Sequence, residues 1–244
     1  MDRALWITWY DLPAQGCDEH LAWVHESYIP KLLQRPGVLW SAHYVSAKLP
    51  KAARIRHTTD PAVPGATEYM LIVGGESSHV FTKDAHSFAA REPSAWEASL
   101  SAEDRRMLTL RRGDRASILT EEARVDGPDA SQRAGRALGP CIQLGSYNAE
   151  TCDLEEELLA WYADWRFPAM ARLPGCIGMR KMVSVVGWAK HAVIYEFVSV
   201  EARATGVAEI ARLYPEMEAW TNRFIPHLVH SAGSLNVARR IWPA

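Results

Sequence analysis

The chain contains an internal repeat, and this feature limits its possible folds more than any other. Residues 18–46 and residues 156–184 align without a gap when the second segment is placed 138 positions after the first. The identical pairs are Leu21/Leu159, Ala22/Ala160, Trp23/Trp161, Pro30/Pro168, Pro36/Pro174, Gly37/Gly175, Val45/Val183 and Ser46/Ser184. Identity at this density indicates a duplication, so we expect the chain to fold as two related units.

Both copies predict the same order of strands and helices. Each begins with a short apolar strand (5–9; 141–147), followed by a helix that Asp18 or Asp153 opens and a Pro-Gly pair ends. Two strands rich in β-branched and aromatic residues come next (38–46 and 68–73; 176–186 and 189–200). A second helix (78–100; 207–224) and a last strand (117–124; 235–242) complete each copy.

The order βαββαβ is the split βαβ motif, which places two helices on one face of an antiparallel sheet and leaves the other face uncovered. Two copies can cover that apolar face by packing their sheets against each other. We therefore predict an α+β fold, in which two tandem ferredoxin-like βαββαβ units form a single-chain, pseudo-dimeric α/β barrel. Unit 1 is predicted at residues 1–126, a linker at 127–139 and unit 2 at 140–244.

The repeated segment resembles the EthD-like branch of the dimeric α/β-barrel superfamily. The likeness rests on an acidic residue that opens the helix, an aromatic residue within it, a proline, and a Pro-Gly pair before the next strand. These residues are Asp18, Trp23, Pro30 and Pro36-Gly37 in the first copy, and Asp153, Trp161, Pro168 and Pro174-Gly175 in the second. The superfamily includes lactone isomerases, polyketide cyclases, cofactor-free monooxygenases and haem-degrading enzymes, so the resemblance implies a fold more than a reaction. EthD-like proteins usually carry a histidine two residues before the proline, where this chain has Tyr28 and Arg166.

Composition and charge argue against several classes of partner. The net charge of −2 and the pI of about 6.5 do not fit a nucleic-acid-binding surface. The arginine pairs at 105–106, 111–112 and 239–240 are interpreted as solvated surface. There is no apolar run near the roughly 20 residues that cross a bilayer, no signal-peptide pattern, and no cysteine spacing typical of zinc or disulfides. We expect a reduced, cytoplasmic protein without nucleic-acid or membrane partners.

Candidate acid–base residues lie on the first helix and the second strand of the first copy. Tyr28 could donate a proton from the wall of a pocket, or be a tyrosine at the edge of the core. His25 has a side chain suited to proton transfer near neutral pH, although a lone helix histidine is more often a surface residue. Strand alternation places His43 and Tyr44 on opposite faces, so one of them must face the helices, and the sequence does not decide which. Trp23, Trp40 and Glu26 are predicted to contact the substrate.

In the second copy, Arg166 and Arg180 are predicted to bind a carboxylate or enolate of the substrate, because guanidinium groups bind carboxylates bidentately. Surface pairing with nearby acids is the alternative. His227 and His230 have a spacing that can place two imidazoles on one metal ion, but no third ligand is apparent. No metal site is therefore predicted.

The two copies differ where chemistry would be placed. His25 aligns with Ala163, and His43 aligns with Lys181. We therefore expect one working pocket in the first copy, with the second copy as a scaffold or a distinct subsite.

Pro30 and Pro168 lie inside the predicted first helices. A proline cannot donate to the carbonyl four residues back, which belongs to Glu26 or Asp164, so each helix should kink there.

These observations predict a cofactor-independent enzyme that acts on a small aromatic, lactone or polyketide-like molecule. His/Tyr acid–base chemistry would give an isomerase, cyclase or lyase. One alternative is a cofactor-free monooxygenase of the same fold, and another is a non-catalytic small-molecule-binding or stress-response protein. The molecule would be a monomer with pseudo-twofold symmetry, or a homo-oligomer of such monomers.

Overall fold

The computed structural model describes residues 1–48, 55–82, 95–133, 135 and 137–243. The strands are β1 Ala4–Asp11, β2 Val38–Ser46, β3 Arg56–His57, β4 Tyr69–Gly75, β5 Arg112–Asp126, β6 Cys141–Ala149, β7 Cys176–Val186, β8 His191–Phe197, β9 Leu228–His230 and β10 Asn236–Trp242. The helices are α1 Cys17–Trp23, α2 Ile29–Leu33, α3 His79–Thr82, α4 Ala95–Ser99, α5 Ala102–Leu108, α6 Cys152–Trp161, α7 Phe167–Met170, α8 Val200–Leu213 and α9 Pro215–Phe224.

Eight of these strands form a closed antiparallel barrel. The order is β10-β2-β4-β1-β5-β7-β8-β6, and β6 also pairs with β10, which closes the sheet. Within the first half the spatial order is β5-β1-β4-β2, and within the second half it is β10-β6-β8-β7. The halves meet at two seams, β5 with β7 and β2 with β10. The α+β barrel that we predicted is therefore confirmed at the level of the fold.

Alternation along the strands gives the barrel two apolar surfaces. The interior is filled from both halves, by residues that include Leu5, Ile7, Trp40, Ile142 and Ile194. The outward residues of the same strands pack under the helices in two further cores, one in each half. Both faces of most strands are thus buried, so the sheet positions side chains on either surface rigidly.

The Pro-Gly pairs end the first helix of each half as predicted. Gly37 and Gly175 have φ values of +84° and +81°, in the left-handed region where residues with a Cβ are strained. This conformation turns the chain from α2 into β2 and from α7 into β7. The turn residues therefore fix where the second strand of each half begins.

Some predicted elements differ from the structure. The helix predicted at 207–224 is two helices, α8 and α9, because Pro215 cannot donate within a continuing helix and instead begins α9. The helix predicted at 78–100 is α3 and α4 at its two ends, and residues 83–94 lie outside the described residues. Strand β5 is longer than its predicted range because it pairs with both β1 and β7. Among the described residues, the helices are too short or too polar to cross a lipid bilayer.

Candidate functional site

Strand β2 resolves the choice between the two neighbouring candidates. His43 lies under the first helix, whereas Tyr44 points into the barrel, where its hydroxyl donates to the carbonyl oxygen of Gly139 at 2.9 Å. Both side chains are fully buried. His43 is therefore the member of the pair that meets the polar groups of the first half.

His43 is the centre of a hydrogen-bonded chain of three side chains. Its Nε2 lies 2.8 Å from the hydroxyl of Tyr10, and its Nδ1 lies 2.8 Å from Nε2 of His25. Tyr10 is on β1 and fully buried, while His25 is half-buried, with its ring 6.3 Å from that of Trp242. The chain thus leads from the interior of the first half toward its surface.

Arg111, just before β5, provides a positive charge beside this chain. Its guanidinium carbon lies 4.2 Å from the centre of the Tyr10 ring and 5.4 Å from that of Tyr28. Among the described residues, the buried Nε and Nη2 of Arg111 have no hydrogen-bond partner. Because an unpaired buried donor costs about 1–3 kcal/mol, these N–H groups are suited to an oxygen that the described residues do not supply.

Burial keeps the members of the chain neutral. It lowers the pKa of His43 well below its ordinary value, and the charges of His25 and Arg111 add to this effect. Burial also lowers the pKa of His25. For Tyr10, burial raises the pKa to about 12, although Arg111 opposes the change. A neutral imidazole has one N–H and one lone pair, so His43 can receive a proton at one nitrogen while it releases one from the other.

His20 is a further polar residue near Arg111. Its Nδ1 donates to the carbonyl oxygen of Met107 at 3.0 Å, and its Nε2 is buried without a partner among the described residues. Burial lowers the pKa of His20 to about 4, and the charge of Arg111 contributes. The lone pair of Nε2 is therefore a second neutral acceptor within this cluster.

Tyr28 and Trp23 form the aromatic side of the site. Their ring centres are 4.8 Å apart, and burial raises the pKa of Tyr28. Trp23 donates its Nε1–H to Asp104 at 3.0 Å, which anchors the first helix to α5. Tyr28 thus provides a second aromatic ring beside Arg111, and Trp23 packs against Tyr28.

Other predicted residues lie elsewhere. Trp40 faces the barrel interior and donates to Asp2 at 3.0 Å. Arg180 is 2% exposed and pairs with Asp2 at 2.5 Å and with Glu196 at 3.6 Å, in an ion network at one end of the barrel. Glu26 is exposed on the helix surface. The structure does not bring these three side chains to the Arg111 cluster.

In the second half, Arg166 lines a partly open cavity of about 250 Å³ between the sheet and the helices. Lys181, at the position that aligns with His43, pairs with Glu122. His227 lies 3.0 Å from Glu150, whereas His230 is buried against the Tyr147 ring. The described residues contain no cluster of three or more side chains suited to a metal ion.

Sequence reasoning missed Tyr10 and Arg111. Arg111 belongs to a pair that we interpreted as solvated surface, and its partner Arg112 is indeed exposed. Tyr10 directly follows the strand predicted at 5–9, where an aromatic residue is ordinarily part of the core. The signal that unites them is topological, because β1 pairs with both β4 and β5 and so brings the start of β5 beside Tyr10.

No protein-family model matches this sequence, and no curated protein is similar to it in sequence. Solved structures do match. A "putative monooxygenase" of Fusobacterium nucleatum aligns with a TM-score of 0.60 and 8% identity over 98% of this chain and 93% of its own. An anthrone oxidase-like protein gives a TM-score of 0.61 and 10% identity, over 99% and 92% of the two chains. A "putative chlorite dismutase" gives 0.55 and 11%, over 99% and 96%.

At these identities the likeness shows the fold alone. The matched proteins are members of the dimeric α/β-barrel superfamily, and this chain has their fold over nearly its whole length. Fold and site together thus describe a closed α/β barrel whose first half contains a buried cluster of histidine, tyrosine and arginine side chains.

Proposed function

We propose that this protein is a cofactor-independent enzyme that moves a proton on a small aromatic, lactone or polyketide-like substrate. One observation carries the proposal: the Tyr10 end of the chain Tyr10–His43–His25 lies beside Arg111, whose Nε and Nη2 have no hydrogen-bond partner among the described residues. Proton transfer needs an acid–base group that can exchange its proton with solvent. The negative charge that forms on the substrate needs a hydrogen-bond donor that is already in position. The first half of the barrel contains both.

The proposed reaction begins when a substrate oxygen accepts the N–H groups of Arg111. The Tyr10 oxygen takes an acidic proton from the substrate as its own proton passes to Nε2 of His43. The Nδ1 proton of His43 passes to Nε2 of His25, which becomes an imidazolium and releases a proton to solvent. The substrate is left as an enolate or phenolate paired with Arg111. The reverse path returns a proton at a different atom, which gives isomerisation, cyclisation or elimination.

Anthrone is a suitable probe, because its methylene protons are acidic and a structurally similar protein is anthrone oxidase-like. Without oxygen, the wild-type protein is expected to exchange these protons with D₂O faster than buffer does, as measured by NMR. Tyr10→Phe and His43→Gln should each slow the exchange by at least about 100-fold, which is typical for loss of a general acid–base group. His25→Ala should be partly rescued by added imidazole, because that position is half-buried.

Tyr44→Phe is the matched control, because Tyr44 is next to His43 on β2 but its hydroxyl lies inside the barrel. It should leave the exchange rate unchanged. Wild-type exchange of both anthrone and a β,γ-unsaturated lactone at the buffer rate would contradict the proposed reaction. Unchanged exchange rates in Tyr10→Phe and His43→Gln would show that these two residues take no part in the proposed reaction.

A cofactor-free monooxygenase is the second candidate, and the names of two structural neighbours favour it. The same deprotonation makes an electron-rich carbanion or phenolate that can react with molecular oxygen. Anthrone and one O₂ would give anthraquinone and one water. Oxygen uptake with this stoichiometry, lost in Tyr10→Phe, would favour the monooxygenase over the isomerase.

We further propose that the barrel is a tandem of two ferredoxin-like units, at residues 1–126 and 140–244, joined by a linker at 127–139. The proposal is supported by the matching spatial order of the four barrel strands in each half, together with the sequence repeat. An EthD-like origin rests on the repeated helix motif. In this arrangement a single chain supplies both halves of a barrel.

A further inference from the structure

The cavity in the second half differs in chemistry from the first-half cluster. Its volume is about 250 Å³, and its walls include the apolar and aromatic side chains of Leu158, Trp161, Val193, Ile210 and Phe224. Such walls favour a flat hydrocarbon ligand, because burying apolar surface is favourable by about 25 cal/mol per Å². The volume fits a ligand of one or two rings.

Two arginines from different helical segments line this apolar space. Arg166 donates its Nε–H to the hydroxyl of Tyr195 at 3.1 Å, and Arg203 donates its Nε–H to Oε1 of Gln143 at 2.7 Å. Both partners are neutral. In the part of the chain that the structure describes, neither guanidinium forms an ion pair with a carboxylate.

The two positive charges also act on each other. Burial lowers the pKa of Arg203, and the nearby charge of Arg166 lowers it further. Bringing like charges together in a half-buried apolar site is unfavourable unless a counter-charge is present. Glu218 lines the cavity as well. An anion placed between the guanidinium groups would relieve this repulsion.

The cavity has a route to solvent. Ile55, Arg203 and Leu235 line both this cavity and a larger recess of about 500 Å³ beside β10. Arg203 therefore lies where the two spaces meet. A ligand that enters through the recess would pass this guanidinium before its ring reaches the aromatic walls.

We propose that the second-half cavity binds a small aromatic carboxylate, with the ring against Trp161 and Phe224 and the carboxylate between Arg166 and Arg203. Guanidinium groups suit this role, because their N–H donors match the two oxygens of a carboxylate. The site is separate from the Arg111 cluster and does not depend on the reaction proposed there.

The test uses the full-length protein and 2-naphthoate as the probe, with 2-naphthamide as its uncharged counterpart, in isothermal titration calorimetry. Naphthoate is expected to bind at least about 10-fold more tightly than the amide, since a charged hydrogen bond contributes about 1.5–3 kcal/mol. Arg203→Met should weaken naphthoate binding by about 10- to 100-fold. It should leave the affinity for the amide nearly unchanged.

Arg212→Met is the matched control, because Arg212 lies on the same helix, α8, but is exposed and pairs with Glu209. It should leave both affinities unchanged. The comparison of acid with amide on the wild-type protein needs no variant, so a misfolded variant does not decide the result. Absence of naphthoate binding, equal affinity for acid and amide, or full affinity in a folded Arg203→Met protein would each overturn the proposal. Tyr10→Phe should retain naphthoate binding, which separates this site from the first-half reaction.

Discussion

At the scale of single residues, the described structure concentrates its unusual polar groups around one side chain, Arg111. A half-buried guanidinium with unpaired N–H groups, faced by Tyr10, His20 and His43, is costly for folding alone. Perturbed titratable groups gathered in this way are typical of functional sites. The arrangement therefore favours function over stability at this position.

The buried histidines predict how stability responds to acid. The pKa of His20 is lowered by burial to about 4 in the folded protein, from an ordinary value of 6.5. The unfolded chain takes up a proton near pH 6.5 while the folded chain does not, so stability present above that pH is lost as the pH falls toward 4. Urea unfolding at pH 7 and pH 5 should show this loss.

His20→Gln isolates the contribution of one residue, because glutamine can still donate to the carbonyl of Met107. Between pH 6 and 5, the slope of unfolding free energy against pH should be smaller in this variant by about 1.4 kcal/mol per pH unit, the effect of one proton. His227→Gln, at an exposed position, controls for the change of residue type. A slope in His20→Gln equal to that of the wild type would show that His20 does not titrate as described.

Sequence reasoning went furthest for residues whose role depends on local pattern. Alternation correctly placed His43 and Tyr44 on opposite faces, but it could not identify the helix-facing one. In a sheet with one face exposed to water, the more polar side chain would be expected on the exposed face. Here both faces are buried, and a histidine and a tyrosine can each be satisfied on either. That choice is fixed only by the closed barrel.

At the scale of elements, both first helices contain a π-helical turn, Val24–Tyr28 and Tyr162–Arg166. Ile29 donates its N–H to Val24, five residues back, and Phe167 does the same to Tyr162. We predicted a kink at the proline that follows. Each helix has an extra residue in the turn before that proline, which accommodates the missing N–H of proline and is a frequent feature of functional sites.

The π turns offer a test that treats the two halves separately. Deleting Glu26, whose side chain is exposed, should restore α-helical spacing and rotate His25 by about 100° relative to α2. His25 would then lose His43, so proton exchange on anthrone should fall toward the rate of His25→Ala. Naphthoate binding in the second half should be unchanged.

Deleting Asp164 is the reciprocal control. It displaces Arg166, so it should weaken naphthoate binding and leave anthrone exchange intact. Circular dichroism spectra of both deletion variants should match the wild type. Loss of both functions in either variant would mean that the two halves do not act independently.

Element positions were predictable where glycine, proline and apolar runs give local signals, as at Gly37 and Gly175. The break at Pro215 was missed because a proline at the first position of a new helix and a proline inside an old one look alike in sequence. The ends of β5 were missed because they depend on pairing with β7, a partner distant in the chain.

At the scale of the whole molecule, the interior of the barrel is a core that neither half can complete. Leu5 and Ile7 from the first half pack in the same cluster as Ile142 and Ile194 from the second. A chain divided at Gly135, within the proposed linker, should therefore give two fragments that are insoluble alone. Co-expressed, they should purify as a one-to-one complex that retains anthrone exchange, as measured by size-exclusion chromatography and NMR.

A variant carrying Ile142→Asp, at the shared core, controls for non-specific association and should abolish the complex. A soluble, folded fragment 1–134 that is monomeric in solution would show that the first half does not need the second. This outcome would contradict the expectation that each half needs the other to complete its core.

The seam between β2 and β10 has a consequence for biosynthesis. Strand β10 follows β2 by roughly 190 residues, yet it supplies the hydrogen bonds for the outer edge of β2. During translation that edge and the apolar lining beside it stay unpaired until β10 has left the ribosome. Contacts between residues so distant in sequence form slowly, and the partly folded intermediates are prone to aggregate. The nascent chain is therefore expected to be a client of chaperones, and its yield is expected to depend on how soon β10 is synthesised after β2.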